Sequence, residues 1–311
     1  MLELQEVEKP DVPDDGVLVR VRASSVNPVD WHLMTGTPYI IHLMAGLRGP
    51  RDPRTGSDFA GTVEVVGKDI KHVGAGDDVY GIGHGSFAEY ICVQEAVAPM
   101  PANLTYEQAG AVGVAAITAL QAVRDKGELV AGQKVLINGA SGGVGTFAVQ
   151  IAKNMGAEVT GVCSTKNVEL VRSLGADHVV DYTRDDFTET GERYDLILDV
   201  AGSRRWRDCK RVLGEKATYV WVGAPKEKKG LLGPASRLVT TRLRAIWTSQ
   251  TLKVLIAKPN RDDMLVLRDL IEAGKVTPVI DRTYELNRIG EAMEYLGGWH
   301  ARGKVVVTVP S

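Results

Sequence analysis

The 311-residue chain is poor in cysteine, in phenylalanine and in net charge. Its three cysteines, Cys92, Cys163 and Cys209, are odd in number and form no C-x-x-C pair. A disulfide framework is therefore not the organising principle, and a reducing, cytoplasmic setting is expected. Lys plus Arg number 37 against 39 Asp plus Glu, a net charge of -2. That balance gives no basic surface to track a nucleic-acid backbone, so no nucleic-acid partner is expected. No apolar run approaches the ~18 residues of a membrane helix, and no stable membrane insertion is expected. The opening MLELQEVEKPDVP is acidic and polar, unlike a signal or transit peptide. What remains is 44% hydrophobic and 24% charged, the composition of a globular chain. At ~100–200 residues per domain, the length predicts two domains.

The first 107 residues predict short strands. Val17 to Val21, Thr62 to Val66, Val79 to Ile82 and Phe87 to Val93 are apolar or β-branched runs, separated by Gly- and Asp-rich turns such as Gly74-Ala-Gly-Asp-Asp78. Many short strands suggest a small barrel or sandwich. Near residue 104 the pattern changes. Thr105 with Gln108 three positions on predicts a capping box, and an Ala-rich helix is expected through Val123. Strand and helix then alternate. Strands are expected at 134–138, 158–162, 178–181, 195–200 and 217–222, with helices at 146–155 and 168–174. That alternation predicts a parallel, doubly wound α/β sheet. Residues 223–259 are looser. Amphipathic helices follow at 262–273 and 288–296, then a terminal strand at 304–309.

The strongest motif is KVLINGASGGVG, residues 134–145. A hydrophobic strand runs into Ala140-Ser141-Gly142-Gly143-Val144-Gly145 and then a helix. This is the G-x-G-x-x-G arrangement with Ala140 first. A small first residue permits the turn, Gly142 lets backbone approach a pyrophosphate, and Gly145 lets helix and strand pack closely. The free N–H groups of the helix start would face the phosphates. About 20 residues on, an acid would hold a ribose 2′-hydroxyl. This chain offers Ser164, Thr165 and Lys166 there instead, hydroxyls and a cation that suit a 2′-phosphate. NADPH is the expected cofactor, ahead of NADH. The bland alternatives are a structural Gly-rich turn and a solvated Lys166.

Six motifs carry a family resemblance: Ala23-Ser-Ser-Val-Asn-Pro-Val-Asp30, Gly56-Ser-Asp-Phe-Ala-Gly61, Ala75-Gly-Asp-Asp-Val79, the nucleotide loop, Asp195-Leu-Ile-Leu-Asp-Val-Ala-Gly202 and Gly303-Lys-Val-Val306. With these the chain resembles the zinc-free branch of the medium-chain dehydrogenase/reductase superfamily, the quinone oxidoreductase-like proteins. Within that branch it is similar to the NAD(P)-dependent alcohol dehydrogenase and reticulon-interacting-protein-like subgroup. The resemblance implies a GroES-like β-barrel domain formed by both chain ends, residues 1–107 and 259–311. A Rossmann domain, residues 108–258, would be inserted between them. It places Asn27 and Asp30 at the nicotinamide entrance, with Asn27 donating from its amide, and Tyr39 near a proton donor. It sets Thr118 towards the nicotinamide, Ser141, Gly143 and Val144 on the pyrophosphate, and Tyr182 towards the adenosine phosphate. Val200, Ala201, Gly202 and Gly223 would end strands at the cofactor, and Lys304 would approach it. Relatives commonly form homodimers, and Leu252 to Ala257 is a candidate edge. The segment Leu231 to Leu255 reads as a dimer edge and core helix, or as a lip for a lipophilic quinone or the membrane surface. Two departures stand out. The family's usual first strand begins ~14 residues earlier relative to this chain, and Gly113 stands where relatives often carry Pro.

Zinc-holding relatives use Cys in the segment matching Val26-Asn27-Pro28, His in a Gly-His-Glu segment, and a third donor. Here the residues are Asn27, Gly56-Ser57-Asp58 and, near the third place, Val114. Tetrahedral zinc needs converging thiolate, imidazole or carboxylate donors, so no metal is expected. Without that Lewis acid, simple alcohol oxidation is disfavoured. Hydride transfer to a quinone or an α,β-unsaturated carbonyl is expected instead, because the conjugated acceptor spreads the developing charge. The alternatives are a metal-free reductase of small aldehydes or alcohols, and a non-catalytic NADPH-binding scaffold.

Overall fold

The computed structural model describes residues 2–35, 54–222 and 249–310. These divide into two compact units, one of residues 2–35, 54–117 and 258–310, the other of residues 118–222 and 249–257. Residues 108–117, expected with the inserted domain, belong to the first unit.

The first unit is built on one seven-stranded sheet. Its strands are β1 (Val17–Val26), β2 (Asp58–Val66), β3 (Asp78–Ile82), β4 (Tyr90–Val93), β5 (Val97–Pro99), and, after the second unit, β12 (Ile280–Glu285) and β13 (Lys304–Thr308). The order is β12-β13-β1-β2-β3-β5, with β4 also pairing β1. Alternation explains the faces in the middle of β1: Val19, Val21 and Ala23 are buried, while Arg20 and Arg22 between them are partly exposed. The turn before β3 has the expected chemistry, since the Gly74 N–H donates to the Asp77 carboxylate at 2.8 Å. β5 and β12 stand at opposite ends of the ladder and do not pair, so closure of a barrel is not traced among the described residues. The joining of chain ends holds: β13 pairs antiparallel with β1 and parallel with β12.

The capping box forms as expected. The Thr105 hydroxyl accepts from the Gln108 N–H at 3.3 Å, and the Gln108 amide oxygen accepts from the Thr105 N–H at 3.0 Å. The Ala-rich stretch is not one helix, however. It is Tyr106–Gly110, then Gly113–Leu120, then a wide π turn over Gln121–Lys126.

The second unit holds six parallel strands: β6 (Lys134–Asn138), β7 (Glu158–Cys163), β8 (His178–Asp181), β9 (Tyr194–Asp199), β10 (Leu213–Trp221) and β11 (Thr251–Val254). Their order, β11-β10-β9-β6-β7-β8, is the doubly wound dinucleotide-binding order. Leu136, Ile137, Ile197 and Leu198 are fully buried, as expected for strands covered on both faces. The helix after β6 runs Gly143–Asn154, three residues earlier at its start than periodicity suggested. Its first turn is glycine-rich and has few side chains to show a period. Cys92, Cys163 and Cys209 are unpaired.

Candidate active site

In the first unit, strand register assembles a buried polar cluster. Ser25 of β1 stands opposite Asp58 of β2, and Val26 opposite Val305 of β13. This brings Lys304 beside Asn27. Asn27 is 1% exposed, Asp58 0% and Lys304 3%. The Lys304 ammonium donates to Asn27 Oδ1 at 2.5 Å, Asp58 Oδ2 at 3.1 Å and the Val26 carbonyl at 3.3 Å. Asp58 Oδ2 also accepts from Ser25 Oγ at 2.7 Å and Asn27 Nδ2 at 2.9 Å. Its Oδ1 accepts the Val114 N–H at 2.6 Å. A carboxylate thus caps the Gly113–Leu120 helix from another element, where anions are favoured. Gly113 makes room for it: a Cβ there would lie 2.2 Å from Asp58 Oδ1. The departure at Gly113 follows from that contact.

The cluster changes the expected roles of two residues. Asn27 was expected to donate to nicotinamide or substrate. Both its amide hydrogens are instead engaged, on Asp58 and on the Ser25 carbonyl at 3.2 Å, and its oxygen is held by Lys304. An amide has two donor hydrogens, so none is left over. Lys304 was expected to approach the cofactor, but its ammonium is buried in an ion pair with Asp58. Both residues position the cluster. Asp30, 1% exposed, accepts from the Asn27 N–H at 2.8 Å and from Ser57 Oγ at 2.7 Å. Burial, opposed by the Ser57 hydroxyl, pushes its carboxyl up to about 6.

In the second unit, β6 turns through Gly139 and Ala140 into the Gly143–Asn154 helix, with Gly142 at its N-cap and no side chain capping it. A Cβ on Gly145 would lie 2.1 Å from the Gly139 carbonyl oxygen, so helix and strand touch only because that position is glycine. A Cβ on Gly142 would meet nothing nearer than that oxygen at 3.6 Å. The fold does not itself require glycine at 142, whereas a phosphate lying against the loop would. Uncapped N–H groups, the helix dipole and this open face fit a dinucleotide pyrophosphate over Ser141, Gly142, Gly143 and Val144. Ala140 is buried beneath the loop.

The remaining expected contacts fall as follows. Ser164, Thr165 and Lys166 form the turn after β7; Lys166 is exposed, and Thr165 Oγ1 donates to Asp181 at 2.5 Å. Tyr182 follows β8 and is 50% exposed. Val200, Ala201 and Gly202 follow β9, where the Gly202 N–H donates to buried Asp199 at 2.9 Å. Thr118 is half-buried on the Gly113–Leu120 helix. Tyr39, Gly223 and most of Leu231–Leu255 lie outside the described residues. Sequence reasoning missed Ser25 and Ser57, and gave Asp58 no role beyond that of an insufficient metal donor. An acid directly before the apolar Phe59-Ala60 was the available signal, because a buried carboxylate needs a partner. It also missed Asn167, whose Nδ2 donates to Ser141 Oγ at 3.0 Å.

A GroES-like sheet domain together with a Rossmann-type unit carrying a glycine-rich phosphate loop is the architecture of a two-domain dehydrogenase or reductase. Family models agree along the chain. The alcohol dehydrogenase GroES-like domain matches residues 13–102, and the zinc-binding dehydrogenase model matches residues 174–307. The chain is 33% identical to the mitochondrial NAD(P)H oxidoreductase RTN4IP1 of Mus musculus, over 94% of this chain and 81% of that protein. It is 31% identical to the chloroplastic NADPH-dependent alkenal/one oxidoreductase of Arabidopsis thaliana, over 96% and 73%. The solved quinone oxidoreductase from Coxiella burnetii superposes with a TM-score of 0.85 at 27% identity, covering 99% of this chain and 95% of that one. The chain belongs to the medium-chain dehydrogenase/reductase superfamily, in its quinone oxidoreductase-like branch.

Proposed function

We propose that the protein is an NADPH-dependent reductase of quinones or α,β-unsaturated carbonyls that works without zinc. The observation that carries this reading is the buried cluster of Lys304 with Asp58 and Asn27, the last two in segments where zinc-holding relatives keep their metal. The donor set does not fit zinc. Asp58 and Asn27 already share an ammonium, and Ser57 contributes a neutral hydroxyl to Asp30. Among the described residues no three His, Cys, Asp or Glu side chains gather.

A bound reduced nicotinamide would supply the hydride. The chain's part is to hold and orient. The uncapped start of the Gly143–Asn154 helix, with Ser141, takes the pyrophosphate. Ser164 and exposed Lys166 favour a 2′-phosphate, and the residues that follow β7, Ser164 to Asn167, include no acid. Thr165 contributes less, because its hydroxyl is spent on Asp181. The relatives named above, one of them NADPH-dependent, support the same acceptor class. A conjugated acceptor spreads developing negative charge over several atoms, so it tolerates the absence of a Lewis acid.

The test is consumption of NADPH and of NADH by EDTA-treated protein against quinones, enones, aldehydes and alcohols. Turnover on quinones or enones with NADPH preferred is the expected result. Turnover on alcohols alone, lost with EDTA, would overturn it. Binding of NADPH without turnover on any acceptor would favour a scaffold instead.

A further inference from the structure

Asn167 lies in the turn after β7, is 5% exposed, and uses only half of its side-chain amide. Its Nδ2 donates to Ser141 Oγ at 3.0 Å and to Ser164 Oγ at 3.4 Å. Its backbone N–H donates to the Ser164 carbonyl at 2.9 Å, which fixes the turn. Its Oδ1 is buried and has no hydrogen-bond partner among the described residues. A buried carbonyl oxygen left unpaired costs as much as a lost hydrogen bond, and folded chains rarely leave one without reason. Amide geometry puts Oδ1 about 2.2 Å from Nδ2, hence within about 5 Å of Ser141 in the glycine-rich loop.

The position has chemical meaning. Asn167 stands 22 residues beyond Gly145. Dinucleotide folds place an acceptor for an adenosine-ribose hydroxyl about 20 residues beyond the loop, usually a carboxylate. The segment that follows β7, Ser164 to Val168, has none. Building on the nucleotide-binding reading of the loop, we infer that Asn167 supplies this acceptor. Its Oδ1 takes a hydrogen bond from an adenosine-ribose hydroxyl, while its Nδ2 ties Ser141 to the same turn. A neutral acceptor can bond the 3′-hydroxyl shared by both nucleotides and does not repel a 2′-phosphate. A carboxylate here would bond the hydroxyls but repel that phosphate. One side chain thereby sets the register of the phosphate loop against the ribose and leaves room for either nucleotide.

The experiment is calorimetric titration of the full chain with NADPH and with NADH, beside thermal melting of each variant. N167A is expected to weaken both nucleotides about tenfold, the size of one hydrogen bond lost at a buried acceptor. N167D keeps the shape and the acceptor. It is expected to hold NADH within about threefold while weakening NADPH more than about tenfold, through repulsion of the 2′-phosphate. Unchanged binding of both nucleotides by folded N167A would overturn the inference, as would loss of NADPH alone in that variant. Should N167A not fold, N167D decides: equal loss of both nucleotides with an unchanged melting point overturns the acceptor role. Neither titration needs turnover, so failure of the reductase reading leaves this test standing.

Discussion

Asp30 shows how a single buried group stores a pH dependence. It is held by one backbone N–H and one hydroxyl, with no cation in direct contact among the described residues, and burial raises its carboxyl to about 6 from the ordinary 3.8. An acid whose folded value lies above its unfolded one keeps its proton longer when folded. Its contribution to stability therefore falls as pH rises from about 3.8 to about 6 and is fully lost above that. The cost is on the order of 3 kcal/mol for a shift of about two pH units. Asp30→Asn keeps an acceptor for the Asn27 N–H and can turn its NH2 to Ser57. Urea denaturation across this pH window should show the native protein losing stability relative to Asp30→Asn as pH rises. Parallel curves would place the titration elsewhere.

At the scale of elements, the phosphate loop separates two duties that glycine can serve. Gly145 lets a helix touch a strand, and the neighbour its Cβ would strike is backbone that cannot swing away. A Cβ on Gly142 would make only an ordinary contact, with the Gly139 carbonyl at 3.6 Å. Gly145→Ala should therefore cost about 1–3 kcal/mol of stability through overpacking and weaken nucleotide binding as well. Gly142→Ala should leave the melting point unchanged and weaken nucleotide binding alone. Melting curves beside nucleotide titrations check the pair, and a stability loss in Gly142→Ala would contradict the division. The capping box was legible for a related reason. Thr105 and Gln108 satisfy each other within four residues of chain, so spacing alone announced them. The break at Gly113 was not legible, because the carboxylate that starts the next helix comes from residue 58.

Over the whole molecule, the chain ends are joined by a charge as well as by strands. Lys304 meets Asn27, 277 residues away, and Asp58, 246 residues away. A buried pair is not by itself a source of stability, but removing one partner leaves an uncompensated charge. Lys304→Gln should cost about 3–5 kcal/mol in urea denaturation. Adding Asp58→Asn should recover a substantial part of that loss, because the orphaned carboxylate is then gone. A neutral single variant, or a double variant with no recovery, would show that the charge is not confined as the geometry indicates.

The sequence alone determined whatever depends on local chemistry. Turn residues, the capping box, the period of the apolar strands and the strand–loop–helix run at 134–145 each draw on neighbours a few residues apart. These carried the doubly wound sheet and the nucleotide loop, and the six matching motifs carried the family. Tertiary structure decided what depends on distant partners. It joined strands from both chain ends in one sheet, divided the Ala-rich helix, and enclosed Lys304 with Asp58. It also turned Asn27 from an expected donor into a braced one, and left the oxygen of Asn167 beside the phosphate loop. A side chain's donors are allotted by whatever packs around them, and that is fixed only when strands from both ends of the chain come into register.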